Sequence, residues 1–135
     1  MKSSIPLLLA AAAIAAPAVA QAPNWSKAQQ ISITMTSDRF VPDRIVLRRN
    51  TPYVLHIANR SDKGHNLTQK AFFANARIPP ADRGWTRDGE VVLKAGERTT
   101  IRLIAPGTPR GGTYQFSSTT LADAASEYKG VFIMR

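Results

Sequence analysis

The sequence predicts an all-β protein, a sandwich of two antiparallel sheets with about seven strands and one short helix. Seven short segments alternate apolar and polar residues with the period of two that is typical of half-buried strands. Before residue 111, only one stretch has a composition that is typical of a helix. Strands do not alternate with long helices, as they would in a parallel sheet. A chain of 135 residues therefore has room for a leader and one domain.

Residues 1–20 have the pattern of a secretory signal peptide. Lys2 supplies a cationic start, Ile5–Ala20 is almost wholly apolar, and Ala18-Val19-Ala20 fits a small-x-small cleavage site. The apolar run is shorter than the roughly 20 residues that a spanning helix needs, and prolines interrupt it. We expect cleavage after Ala20, export to the periplasm or medium, a polar leader over residues 21–30 and a domain over residues 31–135.

The composition limits the chemistry of the protein. The chain has no Cys, which excludes disulfides and any thiolate chemistry. Loss of Lys2 with the leader leaves 17 basic and 9 acidic residues, a net charge of +8. A basic surface raises the affinity for anionic partners such as acidic envelope proteins or lipids. The alternative is a solvated basic surface without a dedicated partner, and no nucleic-acid motif accompanies the charge.

The strands are predicted from alternation and the breaks from turn residues. Asn50-Thr51-Pro52 is a turn signal, and the polar segment 59–64 is predicted as a loop that leads to His65. Pro79-Pro80 ends the predicted helix, and Ala81–Gly89 is expected to be a loop. The seven predicted strands are Ile31–Met35, Arg44–Arg49, Tyr53–Ala58, Glu90–Lys94, Thr99–Ile104, Tyr114–Phe116 and Gly130–Met134, and the helix lies within Gln69–Ile78.

Two motifs carry a family resemblance. Tyr-x-Leu-x-Ile-x-Asn at 53–59 is followed by Gly-His-Asn at 64–66, and Gly-Thr-Tyr-x-Phe occupies 112–116. The sequence resembles the cupredoxins, the blue-copper family, over roughly Ile31 to Met134. The resemblance implies a cupredoxin-like Greek-key β-sandwich, whereas composition alone would support an immunoglobulin-like sandwich equally well.

The resemblance also assigns the positions of the copper ligands. A cupredoxin has a Cys, a His and a Met after the second motif, and the ungapped match from Tyr114 to Gly130 places Ser118, Asp123 and Tyr128 there. His65 keeps the identity of the first ligand. A type 1 copper centre needs a thiolate, two imidazoles and a weak thioether, and a serine hydroxyl is a hard, un-ionised substitute. The resemblance therefore implies a degenerate copper site, with no cofactor expected.

Two occupants of this site are considered. One is a hydrogen-bonded cluster of His65, Ser118, Asp123 and Tyr128 without metal, which we favour. The other is Cu(II) or Zn(II) held by His65 and Asp123, with Glu127 added if 121–128 is helical and places both carboxylates on one face. Asp123 also fits a capping box that starts at Thr120, a structural role.

The functional expectation is an exported, monomeric binding or accessory protein that is neither a blue-copper electron carrier nor an enzyme. Ser118, His65 and Asp123 are the residue types of a catalytic triad, but a triad needs His between Ser and Asp, and no G-x-S-x-G motif is present. The alternatives are a metal-handling protein and a basic envelope protein that binds polyanions.

His56 is expected on a strand face with a local hydrogen bond. Packing is the default role of the aromatic residues, although a ligand pocket or docking patch is the alternative for Phe72, Phe73, Trp85 and Phe116.

Overall fold

The computed structural model describes residues 3, 4, 6 and 22–135. The predicted signal peptide and its cleavage site after Ala20 lie outside the described residues, apart from residues 3, 4 and 6. Within the described ranges, no helix combines the length and the apolar character needed to cross a membrane.

Nine strands and two short α-helices follow one another along the described chain. The strands are β1 (Gln29–Met35), β2 (Phe40–Val41), β3 (Arg44–Leu47), β4 (Pro52–Asn59), β5 (His65–Thr68), β6 (Glu90–Leu93), β7 (Arg98–Ile104), β8 (Thr113–Ser117) and β9 (Lys129–Met134). The helices are α1 (Lys70–Asn75) and α2 (Leu121–Ala124), and 3-10 turns cover Trp25–Lys27 and Pro80–Gly89.

The strands form two sheets. The first sheet has the order β2-β1-β4-β7 and the second has the order β3-β9-β8-β5-β6. The predicted all-β sandwich is confirmed, but both sheets are mixed, because β1 pairs in parallel with β4 and β3 pairs in parallel with β9. Seven strands were expected, and the two additional ones are β2 and β5. Each is short, and β5 has a single large apolar residue, Leu67, so neither has a readable alternation.

The core lies between the two sheets and contains the apolar side chains that alternate along the strands. Ile33, Ile57 and Ile101 of the first sheet are completely buried. Helix α1 adds Phe72, whose ring stacks on Phe132 of β9 with centroids 4.1 Å apart. Phe40 packs edge-on against Phe116 with centroids 5.0 Å apart. Aromatic contacts thus join the helix and the β2 segment to the second sheet.

The segment Pro80–Gly89, which includes the predicted loop Ala81–Gly89, forms 3-10 turns beside the outer edge of the first sheet. The backbone N–H of Arg102, on edge strand β7, donates to the carboxylate of Asp82 at 2.9 Å, and its guanidinium Nε donates to the same oxygen at 2.9 Å. These bonds lower the pKa of Asp82 from its ordinary value, the side-chain bond from Arg102 being the main cause. The contact occupies a strand edge that would otherwise offer free N–H groups.

Gly130 of β9 packs directly against a side chain and a backbone carbonyl, which gives a stability prediction. A Cβ at this position would overlap the ring of Phe116 and lie 2.8 Å from the carbonyl oxygen of Asp43. Gly130→Ala should therefore lower the free energy of unfolding by about 1–3 kcal/mol, the usual cost of overpacking. Denaturant unfolding measures this change. Gly84→Ala is the matched control, because a Cβ there meets nothing within 4 Å, and an equal loss in both variants would contradict the packing argument.

Candidate functional site

Four side chains that the sequence assigned to ligand positions come together in the structure. His65 begins β5, Ser118 follows β8, Asp123 lies in α2 and Tyr128 immediately precedes β9. All four are buried, with exposed fractions of 2%, 2%, 7% and 1%. We call these residues the site cluster. The predicted convergence of its members is confirmed by the hydrogen bonds and ring contacts between them.

The carboxylate of Asp123 is the centre of the site cluster. Its Oδ2 atom accepts a hydrogen bond from the hydroxyl of Ser118 at 2.6 Å and lies 2.5 Å from Nδ1 of His65. The side chain of Thr120 caps α2 by accepting from the backbone N–H of Asp123 at 3.3 Å. The expected helix start at Thr120 is therefore confirmed. Among the described hydrogen bonds the reciprocal bond of a capping box is missing, because the carboxylate of Asp123 is directed to the two site donors.

The pKa of Asp123 is set by opposing effects. Burial raises the pKa of this carboxyl, but the hydrogen bonds from Ser118 and His65 act in the other direction, and the net result is a pKa below the ordinary Asp value. The ionised carboxylate is therefore the form that fits the folded site. A buried carboxylate with two donors on one oxygen is stabilised by the charge-assisted character of both bonds.

Asn66 connects the loop after β8 to strand β5. Its backbone N–H donates to the hydroxyl of Ser118 at 3.1 Å, and its side-chain oxygen accepts from the backbone N–H of Thr119 at 2.9 Å. These two bonds join the segment that carries Ser118 to the strand that begins at His65. Ser118 thus accepts one hydrogen bond and donates another, and its position and orientation are both fixed.

The network determines the tautomer of His65. The nearest atom to Nδ1 is a carboxylate oxygen, which can only accept, so neutral His65 carries its proton on Nδ1. Its ring stacks on Tyr128 with centroids 4.7 Å apart and 22° between the planes. Within the described residues, Nε2 of His65 has no hydrogen-bond partner, although it is buried.

Tyr128, which the family resemblance assigns to the thioether position, is fixed at both ends. Its phenol donates to the backbone carbonyl of Thr36 at 2.6 Å, and its backbone carbonyl accepts from the N–H of Ser118 at 3.0 Å. Burial, with a smaller contribution from the charge of Asp123, raises the pKa of Tyr128 above its ordinary value. The phenol therefore remains a protonated donor. The contact with Thr36 joins residues 92 positions apart, and no local pattern in the sequence indicates it.

The site cluster does not fit a type 1 copper ion. It contains no sulfur, because the chain has no Cys and Tyr128 replaces the thioether. Two ligands held at about 2.0 Å by one tetrahedral ion lie about 3.3 Å apart, whereas Nδ1 of His65 and Oδ2 of Asp123 are 2.5 Å apart, which is hydrogen-bond contact. Within residues 22–135, no group of three or more His, Cys, Asp or Glu side chains is placed to hold a metal.

Glu127 does not join the site. The expectation that Asp123 and Glu127 share a helical face is wrong, because α2 ends at Ala124 and the chain turns before Glu127. Glu127 is exposed, whereas Asp123 is buried. The four-residue spacing in the sequence therefore does not become a shared face.

The order of the hydrogen bonds also bears on the catalytic-triad alternative. Asp123 lies between Ser118 and His65 and accepts from both. A triad requires the imidazole in the middle, where it can take the proton of the serine hydroxyl. The proton of Ser118 points to a carboxylate of lowered pKa, so the arrangement does not activate the hydroxyl as a nucleophile.

The second histidine and the aromatic residues lie elsewhere. His56 is on β4, where Nδ1 is 3.0 Å from the hydroxyl of Thr100 and Nε2 is 2.6 Å from the side-chain oxygen of Gln30. The predicted strand-face position with a local hydrogen bond is confirmed. Packing is the role of three of the four aromatic residues considered, and Trp85 differs because 38% of it is exposed.

The lowered pKa of Asp123 predicts a pH-dependent stability. The unfolded chain takes up this proton first as the pH falls, so the contribution of Asp123 is complete above its ordinary value of 3.8 and disappears as the pH passes through the lower folded value. Asp123→Asn should be less stable than the natural protein by about 3 kcal/mol at neutral pH. The difference should shrink below about pH 4.

Urea unfolding of both proteins between pH 2 and 8 measures that difference. Asp62→Asn, which removes an exposed carboxylate, is the matched control and should leave stability unchanged within about 0.5 kcal/mol. A difference for Asp123→Asn that stays constant across the whole pH range would contradict the assignment of an ionised carboxylate.

The two histidines are predicted to have opposite tautomers. At a pH where both imidazoles are neutral, His65 should carry its proton on Nδ1, because that atom faces a carboxylate. His56 should carry its proton on Nε2, because that atom faces the side-chain amide oxygen of Gln30. Long-range ¹H–¹⁵N NMR spectra distinguish the two forms, and each histidine is a control for the other. The same tautomer in both rings would contradict the hydrogen-bond network.

Comparisons with known proteins agree with the fold described above. The sequence matches the family model for the cupredoxin-like domain over residues 7–133. The fold is similar to that of dithionite-reduced auracyanin from the photosynthetic bacterium Roseiflexus castenholzii, with a TM-score of 0.58, 22% identity, and 80% of this chain and 98% of that chain covered. Auracyanin B gives a TM-score of 0.57 and 18% identity over 87% of this chain and 93% of that one. No curated protein matches the sequence. The chain belongs to the cupredoxin-like domain family.

Proposed function

We propose that this protein is an exported binding or accessory member of the cupredoxin-like family, located in the periplasm or secreted, in which a hydrogen-bonded cluster takes the place of the copper centre. It is not a blue-copper electron carrier and not an enzyme. The single observation that carries the proposal is the position of Asp123, whose Oδ2 accepts from Ser118 at 2.6 Å and contacts Nδ1 of His65 at 2.5 Å.

The chemistry of these contacts supports a structural role for the cluster. The imidazole nitrogen that faces the centre of the site is engaged by a carboxylate, and the serine hydroxyl is engaged by the same oxygen. Loss of any one member would leave a buried polar group without its partner, at a cost of roughly 1–3 kcal/mol. The cluster therefore stabilises the end of the sandwich, and the binding role is assigned to other surfaces.

Metal handling is the second candidate. The observation that bears on it is the buried Nε2 atom of His65, which has no partner among the described residues but is not the atom that faces Asp123. A bound Cu(II) or Zn(II) ion between His65 and Asp123 requires their contact atoms to separate by about 0.8 Å to reach ligand spacing. The proton on Nδ1 must also leave, so binding would release a proton.

Copper titration distinguishes the two candidates. The purified protein should show no intense visible absorption with Cu(II), because that band requires a copper–thiolate bond. Calorimetric heats should be the same for the natural protein and for His65→Ala. His56→Ala is the matched control, since it removes the other imidazole, and circular dichroism checks that each variant is folded. An intense blue colour would contradict the proposal, and a heat lost only in His65→Ala would favour the metal-handling candidate.

A further inference from the structure

The outer face of the first sheet contains a groove that is separate from the site cluster. It has a volume of about 470 Å³ and lies across β1, β4 and β7, with Trp85 from the 3-10 segment at its margin. The register pairs Ser32 with His56 and His56 with Thr100. Three polar side chains on three neighbouring strands therefore form a row across the floor of the groove.

Positive charge is concentrated at one end of the groove. Arg98 is paired with Ala58 in the register of β4 and β7, and Arg60 lies two residues beyond Ala58, on the same face. Neither guanidinium forms an ion pair within residues 22–135, whereas Arg102 on the same sheet face is bound to Asp82. None of the residues lining the groove is acidic. Two guanidinium groups without an ion pair, one just after the end of β4 and one at the start of β7, form a site suited to an oxyanion.

A flat aromatic surface and oriented polar groups accompany that charge. Trp85 lines the groove and is 38% exposed, the only aromatic side chain among the exposed large hydrophobic residues of the described chain. Both nitrogens of His56 are hydrogen-bonded, Nδ1 to Thr100 and Nε2 to Gln30, so its ring is held in one orientation. A sugar ring has an apolar face and an edge of hydroxyl groups. An exposed aromatic side chain beside a row of polar groups offers a partner to each.

We propose that this groove binds an acidic saccharide, a uronate-type sugar whose carboxylate lies between Arg60 and Arg98 and whose ring packs against Trp85. The hydroxyl groups of Ser32 and Thr100 are positioned to exchange hydrogen bonds with those of the sugar. This ligand class also matches the net charge of the chain, +9 over the full sequence, which attracts polyanions over a longer range. Inorganic phosphate would satisfy the arginines but would leave Trp85 and the row of polar side chains without a role. The inference rests on the proposed binding function and names its ligand.

The experiment measures binding of an oligogalacturonate to the natural protein by calorimetry and by tryptophan fluorescence. Arg60→Gln and Arg98→Gln should each raise the dissociation constant about tenfold, the loss expected for a charge-assisted hydrogen bond. Trp85→Ala should raise it about fivefold. Arg110→Gln is the matched control: it removes the same charge from an exposed residue outside the groove and should change the constant less than twofold.

Three further arms compare other ligands. The methyl-esterified oligosaccharide, which has the same rings without the charge, should bind at least tenfold more weakly. Phosphatidylglycerol vesicles and inorganic phosphate should bind without dependence on Trp85. Equal weakening by Arg110→Gln and Arg98→Gln would overturn the proposal in favour of general charge attraction. Vesicle binding with the same dependence on Arg60, Arg98 and Trp85 would overturn it in favour of a lipid. Since His65 and Asp123 are unchanged throughout, these outcomes are independent of the copper titration.

Discussion

The site end of this sandwich depends on the buried carboxylate of Asp123. One of its oxygens accepts from a hydroxyl five positions earlier in the chain and contacts an imidazole 58 positions earlier. The first donor follows β8 and the second begins β5, so the contact joins two neighbouring strands of the second sheet to α2. Because both donors are buried, removing the acceptor leaves polar groups without solvent to replace it.

The three departures from a copper ligand set are physically consistent with one another. Ser118 in the thiolate position needs an acceptor, and Asp123 in the imidazole position supplies it. Tyr128 in the thioether position brings a larger side chain, whose phenol reaches the carbonyl of Thr36 and whose ring packs on His65. Each substituted residue thus bonds or packs against another member of the site or the adjacent backbone. These hydrogen bonds and ring contacts connect β5, the segment after β8, α2 and the start of β9 directly to one another.

The sequence predicted the fold and the members of the site cluster for two different reasons. Strands such as β4 and β7 have long alternating patterns, and their inward side chains are recognisable from the period alone. The site members were identified from motif positions, because nothing local links residue 65 with residue 123. The short elements were not predicted correctly, because they have too few residues to form a pattern. Strand β5 has one large apolar residue, and the end of α2 is set by the turn after Ala124. The parallel pairing of β1 with β4 is a long-range property that alternation does not encode.

The residues of the groove could not be predicted from the sequence as a site either. Arg60, Trp85 and Arg98 are far apart in the sequence and belong to a loop, a 3-10 segment and a strand end. Only the register of β4 with β7, and the packing of the 3-10 segment along the sheet edge through Asp82, bring them to one surface. The site cluster uses the second sheet and its connecting helix, whereas the groove uses the outer face of the first. The two sets share no residue, so a substitution in the site cluster leaves the side chains that line the groove unchanged.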